Sequence, residues 1–569
     1  MGSQRSVFTK VGMLLAVGVL VGCAPASISP SAGSQAPSAP QKTLTLAVRG
    51  EPPSLAARPL VTFSGALGEG KHPFNATLDY RDDRGTAQPL LAEALPRLET
   101  DTWQVFPDGT METRYRLRPN LRWHDGNLLS ASDFAFAFDV YTATWLNAVS
   151  VIPIGQMSEV AAPDPSAVII RWKQPYPDAD ALVSGFQALP RHILEPAFRE
   201  QDPLGFPALP FWSTEYVGLG PYRLDSWEPG ASISGLAFDN FVFGRPKIDR
   251  IRIVFIPDPQ TALANLLAGE VHYVGTLILT ATEGETLERQ WAQSQAGLVL
   301  YSATGFRSAN FQVRPEAADP PELVDVRMRR ALAHAIDART AVDVLSGGKG
   351  LLTHTITAPT VEYYPEIEKV IHKYGYDARR SQQLLEEVGF VRGSDGFYAR
   401  REGRPLKLGV WSSAGTKNEQ ETATYVDGMR RAGIDATQNV IAAAQIGDAQ
   451  LRALIPGVTL RGGGPGFNGL TTAEIARPEN RWSGGNRYGW SNPDYDRAFD
   501  GWSKSLAQTD RVRYIAEMER IMTEQLPILP NYFEASVTAA LSSVEGPLPS
   551  QNPDAGPELA TLYRWSWRS

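Results

Sequence analysis

"RIRIVFIPDPQTALANLLAGEVHYV", residues 250–274, decides the fold class. Arg250 to Ile253 alternate polar and apolar as one strand face requires, and prolines then mark a turn. "TALANLLA" follows as a short helix, Gly269 stops it, and "VHYV" starts another strand. Strand, helix and strand within 25 residues make an α/β unit.

Working outward, "KTLTLAV" (42–48) and "TRYRLRPNLRWHDG" (113–126) alternate likewise, the second ending in an Asp-Gly turn. "ASDFAFAFDVY" (131–141) is a helix with Ser130 or Ser132 as N-cap and a stripe of Phe134, Phe138 and Tyr141. The carboxyl-terminal half is more helical. One helix is expected from Asp325 through Leu345, where Leu332, Ile336 and Leu345 recur at helical spacing before Gly347-Gly348. Asp377 caps another, which Gly389 ends. Pro493 sits in the first turn of a third, with Asp494 and Asp496 at its positive end, and a fourth runs from Asp510 to Glu524.

At 569 residues the chain exceeds one core, so two or three domains are expected. Its net charge of -8, from 54 basic and 62 acidic side chains, argues against nucleic acid as a partner. A single cysteine excludes an internal disulfide framework and any multi-cysteine metal site. The seven histidines show no metal-binding spacing, so no metal or cofactor is assigned.

That cysteine is Cys23. Arg5 and Lys10 precede an uncharged run from Val11 to Gly22, too short for a membrane span of about 20 residues but fitting an export signal. "LVGC" (20–23) resembles the lipobox of bacterial lipoproteins, which implies a signal peptide over 1–22 and acylation of Cys23. Residues 24–41 hold no charge and no aromatic ring, so 23–41 reads as a lipid-anchored tether.

Five further segments carry a wider resemblance. "YRLRPNLRWHDGNLLSASDFAFAF", "VGLGPYRLDSWEPG", "DVRMRRALAHAID", "YDARRSQQLLEEVGF" and "YGWSNPDYDRAF" occur in the order seen in family 5 solute-binding proteins of ABC transporters. That family includes oligopeptide, dipeptide and nickel receptors. The resemblance runs from about Leu44 to Phe533. It implies a two-lobed α/β, periplasmic-binding-protein-like fold (type II, cluster C), with an extra domain in the first lobe and the ligand cleft between lobes. Carried over, lobe I is 42–85, 205–304 and 531–569, the inserted domain 86–204, and lobe II 305–530. Chain crossings near Tyr301–Asn310 and at Asn531 would form the hinge. The implied protein is a monomeric, extracytoplasmic receptor, anchored through Cys23 and delivering its solute to permease subunits with a cytoplasmic ATPase.

"RGGGPGFNG" (461–469) is the most informative candidate site. It reads either as a flexible surface loop or as ligand machinery. It is no phosphate loop, since no Gly-Lys-Ser/Thr follows. Peptide-binding relatives carry here an aromatic residue and an aspartate for the peptide's amino group, yet this chain has no acid between Leu451 and Thr472. Arg461 suits a carboxylate, phosphate or sugar oxygen instead. Phe467, Asn468, Asn310, Trp411 and Trp482 complete the candidate ligand residues, and Glu51 is the alternative acid for an amino terminus. Oligopeptides are the first expectation; saccharides, anionic small molecules and a non-transporting sensor stay open.

Catalytic readings are weaker. His124-Asp125 is explained by its turn, His334 by packing or exposure, and Arg327, Arg329 and Arg330 by a solvated helix face. Ser346-Gly-Gly-Lys349 has the Ser-x-x-Lys form but ends a helix and lacks a Lys-Thr-Gly partner, so no enzyme is expected.

Overall fold

The computed structural model describes residues 42–569 apart from 57, 59, 61–67, 147–152, 183–184, 549–556 and 569. The expected signal peptide, the tether and Cys23 lie outside the described residues.

The deciding stretch forms as its sequence requires. Arg250–Phe255 is a strand, Pro259–Ala268 a helix and Tyr273–Leu279 a strand. Asp258 starts the helix by accepting from the Thr261 N–H at 2.8 Å, and Gly269 ends it at φ 77°. Both strands lie parallel to Thr43–Val48, which sits between them. The hairpin Tyr222–Glu228 and Ser232–Ala237 extends this half of the sheet at the Arg250–Phe255 edge.

Two long antiparallel strands, Gly297–Phe311 and Ile528–Leu541, join this half to a second one. Tyr273–Leu279 meets Ile528–Leu541 only at that strand's far end, residues 537–540. Val458–Gly462 meets the other long strand only at residues 307–311. Lys407–Ser413 and Asp435–Ile441 complete the second half in parallel. The long pair changes register between Ala303 and Phe306 and again between Arg307 and Ser308, midway between the halves.

A separate four-stranded sheet, ordered Trp103–Val105, Met111–Arg116, Ala167–Trp172, Met157–Asp164, lies within 86–204. Helix Ala131–Thr142 starts beside it, with Ser130 as the cap and Asp133 closing the capping box. Met111, Phe134, Ile170 and Trp172 share one continuous apolar core with Leu44, Leu46, Ile251 and Ile253. The second half buries both sheet faces. Ala309, Phe311 and Leu460 pack on one side, and Ile528, Trp490 and Tyr495 on the other.

Two expectations are corrected. The helix from Asp325 breaks at Ile336. Val326–Ala335 and Ala338–Ser346 are separate helices, because the Asp337 carboxylate accepts from the Thr340 N–H at 3.0 Å and caps a new one. The arginine cluster is no solvated face either. Arg329 is 4% exposed, and it donates to Leu323 O at 2.6 Å and Gln525 O at 2.7 Å. Arg330 donates to Glu524 O at 2.9 Å. The two guanidiniums satisfy carbonyls at the carboxyl end of helix Gln508–Gln525. Only Arg327 is exposed, paired with Asp325.

Candidate ligand-binding site

Strand direction locates the site. Val458–Gly462 runs antiparallel to Gly297–Phe311, so it heads back toward the first half and ends beside the crossing. Lys407–Ser413 runs parallel to it. Ligands in α/β sheets collect at the carboxyl ends of such strands. The register then sorts the side chains. Trp411, Thr459 and Asn310 fall in one row across three strands, and Arg461, two residues beyond Thr459, shares their face. The opposite face carries Ala309 and Leu460 into apolar core.

This polar face is incompletely satisfied. Asn310 is 1% exposed; its amide donates to Thr459 O at 3.1 Å, while Oδ1 has no partner. The Trp411 indole N–H and Arg461 Nη1 are likewise buried without one. Thr459 Oγ1 is a fourth such atom. Buried polar atoms are nearly always hydrogen-bonded, so four exceptions on one face mark a place where something else can bind.

Along the glycine-rich stretch the backbone makes turns that need glycine. Gly463 and Gly466 take φ 62° and 61°, and a Cβ on Gly464 would stand 2.0 Å from the Phe306 ring. Arg314, from the chain after Gly297–Phe311, holds the following segment by donating to Arg487 O at 3.2 Å and to Ala476 O. Asn486 donates to Leu470 O, Thr471 O and Trp490 O at 3.2, 3.1 and 2.7 Å. The Tyr495 hydroxyl donates to Phe467 O at 2.9 Å.

The other candidates scatter. Phe467 is half-buried with its ring 5.9 Å from Trp502. Asn468 is exposed, and its carbonyl accepts from Thr471 Oγ1 at 2.9 Å. Trp482 takes φ 60° next to Arg481 at 53°, with the Arg314 guanidinium 5.8 Å from its ring. Glu51 lies on the first half, where its carboxylate accepts from Trp227 Nε1 at 2.6 Å and Gly230 N at 2.9 Å. Arg461 and Asn310 are brought together, lining one recess with Asn486, Arg487, Tyr488 and Trp490.

Sequence reasoning missed Arg487. Burial lowers its guanidinium to about 10, and the neighbouring charges of Arg461 and Arg452 push the same way. No motif marks it, and only the fold brings it to Arg461.

The residues with catalytic motifs are structural. His124 Nδ1 accepts from Gly218 N at 3.1 Å and Nε2 lies 3.0 Å from Gly220 O, while burial lowers the ring to about 4. Asp125 instead meets His192 at 2.6 Å. His334 Nδ1 lies 2.9 Å from Gly375 O. Ser346 donates to Val342 O in its own helix, and Lys349 pairs with Glu288 at 3.2 Å. Among the described residues no three His, Cys, Asp or Glu side chains gather to hold a metal ion.

Comparison with known proteins agrees with this architecture. Residues 89–514 match the profile of the bacterial extracellular solute-binding proteins, family 5 Middle. Brucella ovis has a protein named as an ABC transporter peptide-binding protein, 25% identical over 299 residues, or 52% of each chain. The chain thus spans about half the length of that relative. The oligopeptide-binding protein AppA of Bacillus subtilis is 21% identical over 457 residues, 78% of this chain and 77% of AppA. Its structure with a nonapeptide superimposes with a TM-score of 0.65 at 18% identity, covering 93% of this chain and all of AppA's. NikA of Brucella suis, in complex with Fe(III)-EDTA, gives 0.72 at 17% identity, covering 93% and 100%. The expected fold class is borne out: a mixed α/β, two-lobed solute-binding-protein fold.

Proposed function

Because this chain belongs to the family 5 bacterial extracellular solute-binding proteins, we propose that it captures an oligopeptide between its lobes and delivers it to the permease of an ABC importer. Its family relatives are solute-binding proteins of ABC transporters rather than enzymes, and the family is extracytoplasmic. The observation that carries the capture mechanism is the long strand pair. Gly297–Phe311 and Ile528–Leu541 are the sheet's only link between its halves among the described residues, and their register shifts at the link. Two strands can bend there while each lobe keeps its own core, which is how a hinge works.

The proposed division keeps lobe I at 42–85, 205–304 and 531–569, the inserted domain at 86–204 and lobe II at 305–530. Relatives named for peptides support the solute class. A peptide presents backbone groups and side chains to Asn310, Trp411, Arg461, Phe467, Asn468 and Trp482, with Glu51 reaching from lobe I. With no acid between Leu451 and Thr472, the amino group is not the main anchor. Calorimetry with a peptide and its amino-acetylated form should give equal affinities; a loss of several kcal/mol on acetylation refutes this orientation. Small-angle scattering should show compaction on peptide addition, because a ligand shifts the open–closed balance only through its preference for one state.

Anchoring is the other half of the proposal. Cys23→Ser should release the protein from the membrane or leave an uncleaved precursor. A wild-type chain that takes up no labelled fatty acid refutes it.

A further inference from the structure

Lobe II also meets the inserted domain. Arg511, on helix Gln508–Gln525, stands 3.1 Å from Asp178. The Arg511 side chain is 13% exposed and that of Asp178 47%, so the pair is half-shielded from water. The charge of Arg511 also acts on Tyr176 and Asp180, the neighbours of Asp178, and Arg81 of lobe I acts on the same two. Just before the helix, Leu506 packs against the continuous core that lobe I shares with the inserted domain. An ion pair and an apolar contact therefore join the proposed lobes here. Gln525, at the other end of the helix, leads into the crossing strand Ile528–Leu541. Arg511 lies about 20 Å back along the helix, at about 1.5 Å per residue. The helix is thus a lever arm. Rotation of the lobes about the crossing strands parts Arg511 from Asp178 and leaves each core intact.

The same arginine reaches back to the candidate site. Its guanidinium lies 5.1 Å from the Trp502 ring, whose other neighbours are Phe467 at 5.9 Å and Phe499 at 5.6 Å. Trp502 Nε1 is buried without a partner, so packing against these side chains places the indole. Phe467 belongs to the glycine-rich stretch, where the Tyr495 hydroxyl holds its carbonyl at 2.9 Å. A packed row from Phe467 through Trp502 to Arg511 thus links a candidate ligand residue to the ion pair.

We infer that Arg511 is a positioning residue for lobe closure: its pair with Asp178 clasps the inserted domain to lobe II when the cleft shuts, and Phe467 and Trp502 set its place from the ligand side. The inference rests on the lobe-closure reading and not on the solute being a peptide. A half-shielded ion pair adds little to folding. Between two states of similar energy, the same modest preference shifts populations severalfold.

The test uses the full-length protein and, as probe, the material that the unfolded wild type releases, added back to stripped protein. Scattering should show the wild type compacting with this probe. Arg511→Met and Asp178→Asn should each release it roughly threefold to fivefold faster, with association no slower, because the pair is apart in the open form. Arg511→Lys, which keeps the charge, should release at nearly the wild-type rate. The double variant, Arg511→Met with Asp178→Asn, should release no faster than either single one, since both remove the same interaction. Added salt should speed release from the wild type more than from Arg511→Met, as a half-exposed pair is screened. Asp178→Asn, on the more exposed side, decides the matter should Arg511→Met fold poorly. A wild type that compacts, with single variants that release the probe at its rate, overturns the clasp and leaves closure standing. Additive effects in the double variant overturn the pair as its basis. A wild type that does not compact overturns clasp and closure together. Released material without a peptide bond, still lost faster from the variants, removes the peptide reading and leaves the clasp standing.

Discussion

Arg307 and Glu421 form an ion pair inside lobe II, their side chains 7% and 1% exposed. Arg307 stands where strand Gly297–Phe311 crosses into the lobe, and Glu421 lies on helix Thr416–Arg431. Asn418 Oδ1 accepts from Arg307 at 2.9 Å, Tyr532 donates to Glu421 at 3.0 Å, and Glu534 stands 3.3 Å from Arg307 on the other crossing strand. Burial alone would lower the guanidinium; the Glu421 carboxylate more than offsets this and holds it above its ordinary value. The pair ties both crossing strands to one helix.

Removing one partner leaves the other charge buried. Glu421→Leu should therefore destabilise the protein by about 3–5 kcal/mol in urea unfolding. Arg307→Met combined with Glu421→Leu should recover most of that loss. A single variant within about 0.5 kcal/mol of wild type would show that the network carries no weight.

Glu519 predicts a pH dependence. It is fully buried in helix Gln508–Gln525, where burial raises its carboxyl from 4.5 to about 7, against the opposing donors Thr357 N at 2.8 Å and Ile356 N at 3.3 Å. Between those values the native state holds a proton that the unfolded chain has released, so its contribution to stability is full below pH 4.5 and falls as pH rises to about 7. The buried His124, lowered to about 4, acts in the opposite sense over part of that window. The difference between wild type and Glu519→Gln isolates the carboxyl group: the variant should gain on wild type from pH 4.5 to 7. A gap constant over that range contradicts the assignment.

Arg314 predicts how the loop is held. Arg314→Met removes the donors to Arg487 O and Ala476 O. Leaving such acceptors unmet costs about 1–3 kcal/mol. Amide exchange should speed up across residues 476–489 before it does in the strands, and peptide affinity should fall. Unchanged exchange in that segment would place its restraint elsewhere.

What the sequence made legible is what short-range chemistry decides. Ser130, Asp377 and Gly389 announce helix ends through bonds to residues a few positions away, and each does so here. The break at Ile336 was hidden, because helical apolar spacing continues from Leu332 to Leu345 across it and only Asp337 betrays the new cap. The restraint on the segment after the glycine-rich stretch was hidden too, since Arg314 lies 162 residues away from the carbonyl of Ala476 that it holds. Arg461 was visible by type and place. Arg487 was not, because its meaning comes from standing beside Arg461, and no local pattern encodes that. Arg329 misled for the same reason: a basic residue on a helix reads as exposed until the end of another helix covers it.

Identifying the native solute decides whether the lobes close on a peptide. Protein purified without added ligand, washed and then unfolded should release whatever it carries for mass spectrometry. Short peptides should appear in the released fraction. A saccharide, a metal chelate or another solute without a peptide bond would contradict peptide capture.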